Sequence, residues 1–323
     1  MNHKSSIVYF GTPQFSAFIL EQLIKSHPGG GTDIKFNIKA VVTSPDKSTG
    51  RKQFITPSAV SKVAAAHGIL VLKPEKLDAE FITTNHQLLT TDLFIVASYG
   101  KIIPQALLDI PKFGAINVHG SLLPKYRGAS PIQAAILNGE SQTGVTIMLM
   151  DEKMDHGPVL AIQKIAVNND ATFESLSNNM AKVGSELLIK TMPEFVNGKI
   201  KSRGQNHTIA TFCTRIKKED GYFDINNPPN PIVLDRMVRA YFPWPNAWTR
   251  FRQGSSGQAK IVKFLPYTSV IPAKAGIQKT KKKNGSSIKV EDDKTVLVQM
   301  EGKKPIPLKD FLNGYPDFPM KNI

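Results

Sequence analysis

Ser6-Ile-Val-Tyr-Phe10, Gly11-Thr-Pro-Gln14 and Phe15-Ser-Ala-Phe-Ile-Leu-Glu-Gln-Leu-Ile24 follow one another near the start of the chain, and their order decides the fold. The first run is short and apolar and reads as a buried strand. The turn after it offers Thr12 as an N-cap and Pro13 at the first helical position. Phe15, Phe18, Ile19, Leu20, Leu23 and Ile24 recur at helical spacing, which predicts a helix ended by His27-Pro-Gly-Gly-Gly-Thr32. Lys35 to Thr43 returns to strand texture. A strand–helix–strand opening predicts a parallel sheet. The turn at Gly11 lacks the G-x-G-x-x-G spacing of a dinucleotide site, which disfavours a nicotinamide dehydrogenase.

The pattern continues outward. Ser58 to His67 and Gln105 to Ile110 read as helices. Ile69 to Leu72 and Leu93 to Ala97 read as short buried strands, with a helix and a connection between them. Val145 to Met150 and Val159 to Val167 add two strands, and Phe173 to Val196 is a long amphipathic helix that closes the domain. Ser44 to Pro57 is a long polar loop carrying Lys47, Arg51 and Lys52, and loops of this size inside a domain are often functional. Residues 197–207 are polar and basic and read as a linker. The expected division is a domain over 1–198, a linker over 199–209 and a second domain over 210–323. In that second domain Leu234 to Tyr241 reads as a short helix. Short strands are expected at Trp248 to Arg252, Ala259 to Phe264, Ile288 to Val290, Thr295 to Met300 and Ile306 to Leu308, which suggests a small, partly open barrel. Residues 269–287, with Lys279 and Lys281 to Lys283, read as an inserted basic loop.

A length of 323 residues fits one large or two ordinary domains. Cys213 is the single cysteine, so an internal disulfide and a cysteine-based structural zinc site are excluded, and nothing around it activates a thiol. The opening apolar run is too short for a signal peptide, and no stretch reaches the length of a membrane span, so a cytoplasmic protein with no membrane partner is expected. The formal charge of +15 is uneven. Residues 1–203 hold 21 Lys and Arg against 16 Asp and Glu, and residues 204–323 hold 20 against 10. Such asymmetry suggests a polyanionic partner, nucleic acid being the usual one, although a solvated basic surface is an equal reading of charge alone.

The candidate chemistry sits in Gly114-Ala-Ile-Asn-Val-His-Gly-Ser-Leu-Leu-Pro-Lys-Tyr-Arg-Gly-Ala-Ser-Pro131. Asn117 and His119 are two apart, so on a strand they share a face. An amide and an imidazole at a sheet edge can hold an oxyanion and manage a proton. Further on, Met150-Asp-Glu-Lys-Met-Asp-His-Gly157 supplies two carboxylates, Asp151 and Asp155. Asn-Val-His-Gly-Ser-Leu-Leu-Pro-Lys-Tyr-Arg-Gly, followed at distance by Asp155-His-Gly157, resembles the paired motifs of the folate-dependent formyltransferases. The resemblance selects Asp155 over Asp151 and implies a catalytic set of Asn117, His119 and Asp155. It implies a pterin pocket lined by Tyr99, Gly100 and Ile102 and floored by Ser121, Leu122, Leu123 and Pro124. It implies 10-formyltetrahydrofolate as co-substrate and no metal.

Two other segments resemble the branch of that family that formylates the amino group of initiator methionyl-tRNA. Arg51 occupies a basic position of a loop placed over the tRNA acceptor end, with Lys47 and Lys52 beside it, and Phe242-Pro-Trp-Pro245 matches the start of the family's C-terminal domain. A monomer is expected. The implied fold is α/β, with a Rossmann-like, mostly parallel N-terminal sheet covered by helices on both faces and a smaller OB-like C-terminal β-barrel. A related transferase acting on a sugar-nucleotide amine, which would not need a basic RNA-holding domain, and a 10-formyltetrahydrofolate hydrolase, which shares the triad, stay open as alternatives, as does a basic RNA-binding module on a degenerate scaffold.

Overall fold

The computed structural model describes residues 4–26, 35–49, 54–253, 258–266 and 296–320. They form two compact units. The first runs to Arg215, and the second runs from Ile216 and also takes in residues 136–139 and 170–174.

The strands of the first unit are β1 (Lys4–Gly11), β2 (Lys35–Val42), β3 (Lys47–Thr49), β4 (Phe54–Thr56), β5 (Leu70–Leu72), β6 (Leu93–Ala97), β7 (Ala115–His119), β8 (Arg127–Gly128), β9 (Gln142–Leu149), β10 (Val159–Ala166) and β11 (Phe212–Cys213). Seven form one sheet in the order β10-β9-β7-β6-β1-β2-β5. The five from β5 to β7 are parallel, and β9 and β10 complete the sheet in antiparallel pairing. The helices are α1 (Gln14–Lys25), α2 (Ala59–Ala66), α3 (Ala79–Thr84), α4 (His86–Leu89), α5 (Gln105–Leu108), α6 (Pro131–Leu137) and α7 (Phe173–Val196).

Every residue of β6 and β7 is buried, as expected for parallel strands covered on both faces. On one face Val8, Phe10, Phe94, Val96 and Ala115 pack with Leu89 of α4 and Leu107 and Leu108 of α5. Val118 turns to the other face, where α7 comes close. A Cβ on Gly184 would stand 3.1 Å from Val118 and 3.2 Å from Val145, so a residue without a side chain permits that approach.

Several expectations need correcting. Thr12 does not cap α1. Pro13 stands at the N-cap, which has no side-chain bond, and the helix starts at Gln14. The Thr12 hydroxyl instead bridges strand ends, 3.1 Å from both Ser44 Oγ and the Tyr99 carbonyl. The strand at Leu70–Leu72 is not buried. It has one neighbour, β2, and Leu70 is exposed. The loop over Ser44–Pro57 contains a two-stranded ribbon, β3 against β4, that pairs Lys47 with Thr56 and leaves Phe54 and Ile55 exposed. The connection before β6 holds two short helices, the first capped by Asp78.

The segment read as a linker is bound to the first unit. Arg203 exchanges two backbone hydrogen bonds with Val159, each 2.8 Å, and β11 pairs in parallel with β8. Its polar composition reflects side chains, while its backbone completes ladders that composition does not reveal. The unit boundary accordingly falls at Arg215, later than the expected one.

The second unit contains α8 (Pro231–Tyr241), β12 (Ala247–Phe251), β13 (Lys260–Leu265), β14 (Leu297–Met300), β15 (Ile306–Pro307) and α9 (Leu308–Gly314). Asn230 caps α8 by accepting from Val233 N at 2.9 Å, and Pro231 fills the first turn, so the helix starts three residues before its expected bound. The four strands form an antiparallel meander in sequence order. Phe223, Phe251, Phe264, Phe311 and Phe318 build its core with ring centroids 5.0–5.3 Å apart at the closest contacts. The strand expected at Ile288 to Val290 and the basic insertion at 269–287 lie outside the described residues. Among the described residues no helix is long and apolar enough to cross a membrane.

Candidate active site

Asn117 and His119 stand on the face of β7 that continues the row Phe94, Val96, Ala115. Both are buried. Because β9 runs against β7, its end at Leu149 lies beside Ile116. The turn that follows folds back over this face and brings Asp155 to both side chains. Asn117 Nδ2 donates to Asp155 Oδ1 at 3.3 Å, and His119 Nδ1 lies 3.5 Å from the same oxygen. The other carboxylate oxygen, Oδ2, accepts from the Gly128 backbone N–H at 2.7 Å. The site therefore occupies the face of β7 over its last three residues, and not only the space beyond the strand end.

Asp151, the competing carboxylate, turns elsewhere. It takes His156 Nδ1 at 2.7 Å, and the His156 ring stacks on that of His207 with centroids 4.0 Å apart. Desolvation, then the neighbouring His156 and Arg127, push the His207 imidazole below its ordinary range. It accepts a hydrogen bond from Arg127 Nη2 at 2.8 Å, which requires an unprotonated Nδ1.

His119 Nε2 faces the Tyr126 carbonyl at 3.0 Å, so the ring hydrogen belongs on Nε2. Nδ1 then bears a proton only in the charged ring, and Asp155 is placed to receive that N–H. Asn117 has two amide hydrogens and gives one to Asp155, which leaves the other for an incoming oxygen. Ser98, Tyr126 and Asp155 hold positive φ angles of 47°, 58° and 48°. Left-handed backbone costs a non-glycine residue about 1–2 kcal/mol, and such strain gathers at functional sites.

The other sequence-selected residues are distributed around this point. β6 and β7 are parallel neighbours, so the segment from Ser98 to Ile102 and the loop after His119 leave the same sheet edge. Tyr99 is buried, with its phenol pushed up to about 12 by burial. Gly100 has φ +83°, and Ile102 is largely exposed. In the loop after β7, Ser121 Oγ donates to the Lys125 carbonyl at 2.5 Å, Leu123 is buried, Leu122 is half-buried and Pro124 follows a cis peptide bond. Lys47 lies exposed on β3, and Arg51 and Lys52 lie outside the described residues.

Sequence reading missed four supports of the site. Thr146 on β9 donates to the Ser121 carbonyl at 2.6 Å and accepts from Leu123 N at 3.1 Å, which ties down the loop. A hydroxyl inside the apolar run Val145-Thr-Ile-Met was the available signal. Gly128, Arg127 and Gln205 brace the Asp155 turn. Gln205 gave no signal, because a buried glutamine inside a polar segment looks like a solvated one.

Comparison with known proteins decides the family. Residues 4–192 match the formyl transferase model, and residues 215–316 match the model of the formyl transferase C-terminal domain. The chain belongs to the formyl transferase family. It is an enzyme of formyl transfer. A methionyl-tRNA formyltransferase of Dictyoglomus thermophilum is 39% identical over 319 residues, 96% of each chain, and one of Staphylococcus epidermidis is 36% identical over 316 residues at the same coverage. Among solved structures, a 4-N formyltransferase from Francisella tularensis superposes with a TM-score of 0.59 at 19% identity, over 81% of this chain and 97% of that one. HypX from Aquifex aeolicus in complex with tetrahydrofolic acid gives 0.57 at 17% identity, over 97% of this chain and 47% of that one. At these identities the superpositions speak for the fold.

Proposed function

We propose that the chain transfers the formyl group of 10-formyltetrahydrofolate to the amino group of methionyl-initiator tRNA, giving N-formylmethionyl-tRNA for translation initiation, as a cytoplasmic monomer. The observation that carries the reading is the convergence of Asn117, His119 and Asp155, with Asp155 within 3.5 Å of both partners on the face of β7, in a chain that matches methionyl-tRNA formyltransferases over nearly its whole length.

The reaction makes few demands. A neutral amine attacks the formyl carbon, negative charge develops on the formyl oxygen, and the folate nitrogen needs a proton as it leaves. The second amide hydrogen of Asn117 donates to the developing oxyanion, and one such donor is worth about 3 kcal/mol. His119 donates to the same oxygen or passes the proton to the leaving nitrogen from Nε2, whose hydrogen exchanges the Tyr126 carbonyl for the substrate. Asp155 orients the ring and receives Nδ1–H while the ring is charged. Tyr99, Gly100 and Ile102 line the pterin side, and Ser121 to Pro124 floor it. Lys47, Arg51 and Lys52 grip the acceptor end. The unit that runs to Arg215 carries the catalytic site, and the basic unit that follows it holds the tRNA backbone. No step calls for a metal or for a covalent enzyme intermediate.

Formyl transfer measured side by side on charged initiator tRNA and on free methionine tests the reading. Formylation of the aminoacyl-tRNA alone is expected. Tetrahydrofolate release indifferent to tRNA would instead identify a hydrolase.

A further inference from the structure

We infer that Gln205 is a positioning residue for the formyl-transfer site, holding the Asp155 turn through its side-chain amide with its own orientation set by Arg127. The inference rests on the reading of Asp155 given above.

Gln205 is nine-tenths buried and its amide is fully engaged. Nε2 donates to the Asp155 carbonyl at 3.0 Å and to the Gly157 carbonyl at 2.7 Å. Oε1 accepts from Arg127 Nε at 3.2 Å and from Arg127 Nη2 at 2.7 Å. A guanidinium only donates and a backbone carbonyl only accepts, so the amide has one possible orientation. Arg127 is itself buried, and it donates to the neutral side chains of Gln205 and His207. A buried arginine facing an amide, where a carboxylate would be the ordinary partner, needs a reason. The two backbone carbonyls supply it, because a carboxylate at position 205 could pair with Arg127 but could not donate to them.

The clamp acts on the stretch of chain that sets the carboxylate. Asp155 has φ +48°, and its side chain reaches Asn117, His119 and Gly128 N from that backbone. Gly157 packs so closely that an added Cβ would meet the Leu149 carbonyl. The turn is thus fixed at both ends of Asp155-His-Gly157 by one side chain. A displacement of about 1 Å at a reacting group can cost as much as 10²-fold in rate.

The test is the isosteric variant Gln205→Glu in the full chain, studied alone, with Asp155→Asn alone, and with both together. We expect Gln205→Glu to lower kcat about 10- to 100-fold while the KM values for formyl donor and charged tRNA stay within about twofold and the thermal midpoint stays near wild type. In the Asp155→Asn background the same substitution should have almost no further effect, because residues that act through one another are not additive. An equal loss in both backgrounds, a KM effect with kcat preserved, or wild-type turnover would each overturn the inference while leaving Asp155 in its role. Full activity of Asp155→Asn would remove the underlying reading and the inference with it. Should Gln205→Glu not fold, Gln205→Asn keeps both donors on a shorter side chain. It should retain a fraction of the activity with unchanged KM values, and wild-type turnover or a KM effect there would count against the clamp in the same way.

Discussion

Asn117 and His119 owe their meeting to the period of a strand, and Asp155 owes its arrival to a turn held in left-handed backbone. The first was legible in Asn-x-His on a predicted strand. The second was legible only through the resemblance, because two carboxylates, Asp151 and Asp155, stand four residues apart in a flexible-looking segment. The structure separates them by giving Asp151 to His156 and Asp155 to the pair on β7. Replacing His119 by Ala should lower kcat by about 10²- to 10⁴-fold with small changes in KM, as read by initial-rate kinetics on charged tRNA. Cys213 gives a contrasting case. Burial pushes its thiol up, and its Sγ lies 3.4 Å from the Arg127 carbonyl. Iodoacetamide at pH 7.5 should modify the native protein at least about tenfold more slowly than the urea-unfolded chain, and equal rates would show the thiol to be open.

The elements that frame the site were largely readable. The parallel part of the sheet follows from strand–helix–strand repetition, and α7 from its long amphipathic period. Two kinds of element were not readable. The ribbon β3–β4 is a hairpin of three-residue arms, too short for a periodicity signal. The segment 199–215 is polar in composition but bound through its backbone to β10 and β8. Stability predictions belong at this scale. Gly157→Ala places a methyl 2.1 Å from the Leu149 carbonyl oxygen. It should destabilise the protein by about 1–3 kcal/mol in urea unfolding, with activity lost alongside. His207 is held below its ordinary range in the folded chain. The unfolded chain therefore takes up its proton first, and stability falls as pH drops below about 6.5. The unfolding free energy of His207→Ala should depend less steeply on pH between about 7 and 5.5 than that of wild type, and parallel curves would exclude His207 from this effect.

At the scale of the whole molecule, charge alone left a polyanionic partner and a solvated basic surface as equal readings. The basic excess in residues 204–323 suggested a polyanion, and the chain matches methionyl-tRNA formyltransferases over 96% of its length. The barrel expected in the second unit relied partly on a strand at Ile288 to Val290, outside the described residues, and the described strands form an antiparallel sheet. A chain of net charge +15 gripping a phosphate backbone should bind charged tRNA at least about tenfold more weakly at 200 mM salt than at 50 mM, while the affinity for the folate should change less than about twofold. Indifference of tRNA binding to salt would remove the role given to the basic surface. The proposed chemistry depends on one arrangement, Asn117 as oxyanion donor on β7 held beside the His119 imidazole and the Asp155 carboxylate. Its most direct test is single-turnover formyl transfer from 10-formyltetrahydrofolate to methionyl-initiator tRNA by Asn117→Ala. The predicted result is a step slower by about 10²- to 10³-fold in a folded protein that still binds both substrates. Transfer at the wild-type rate would contradict it.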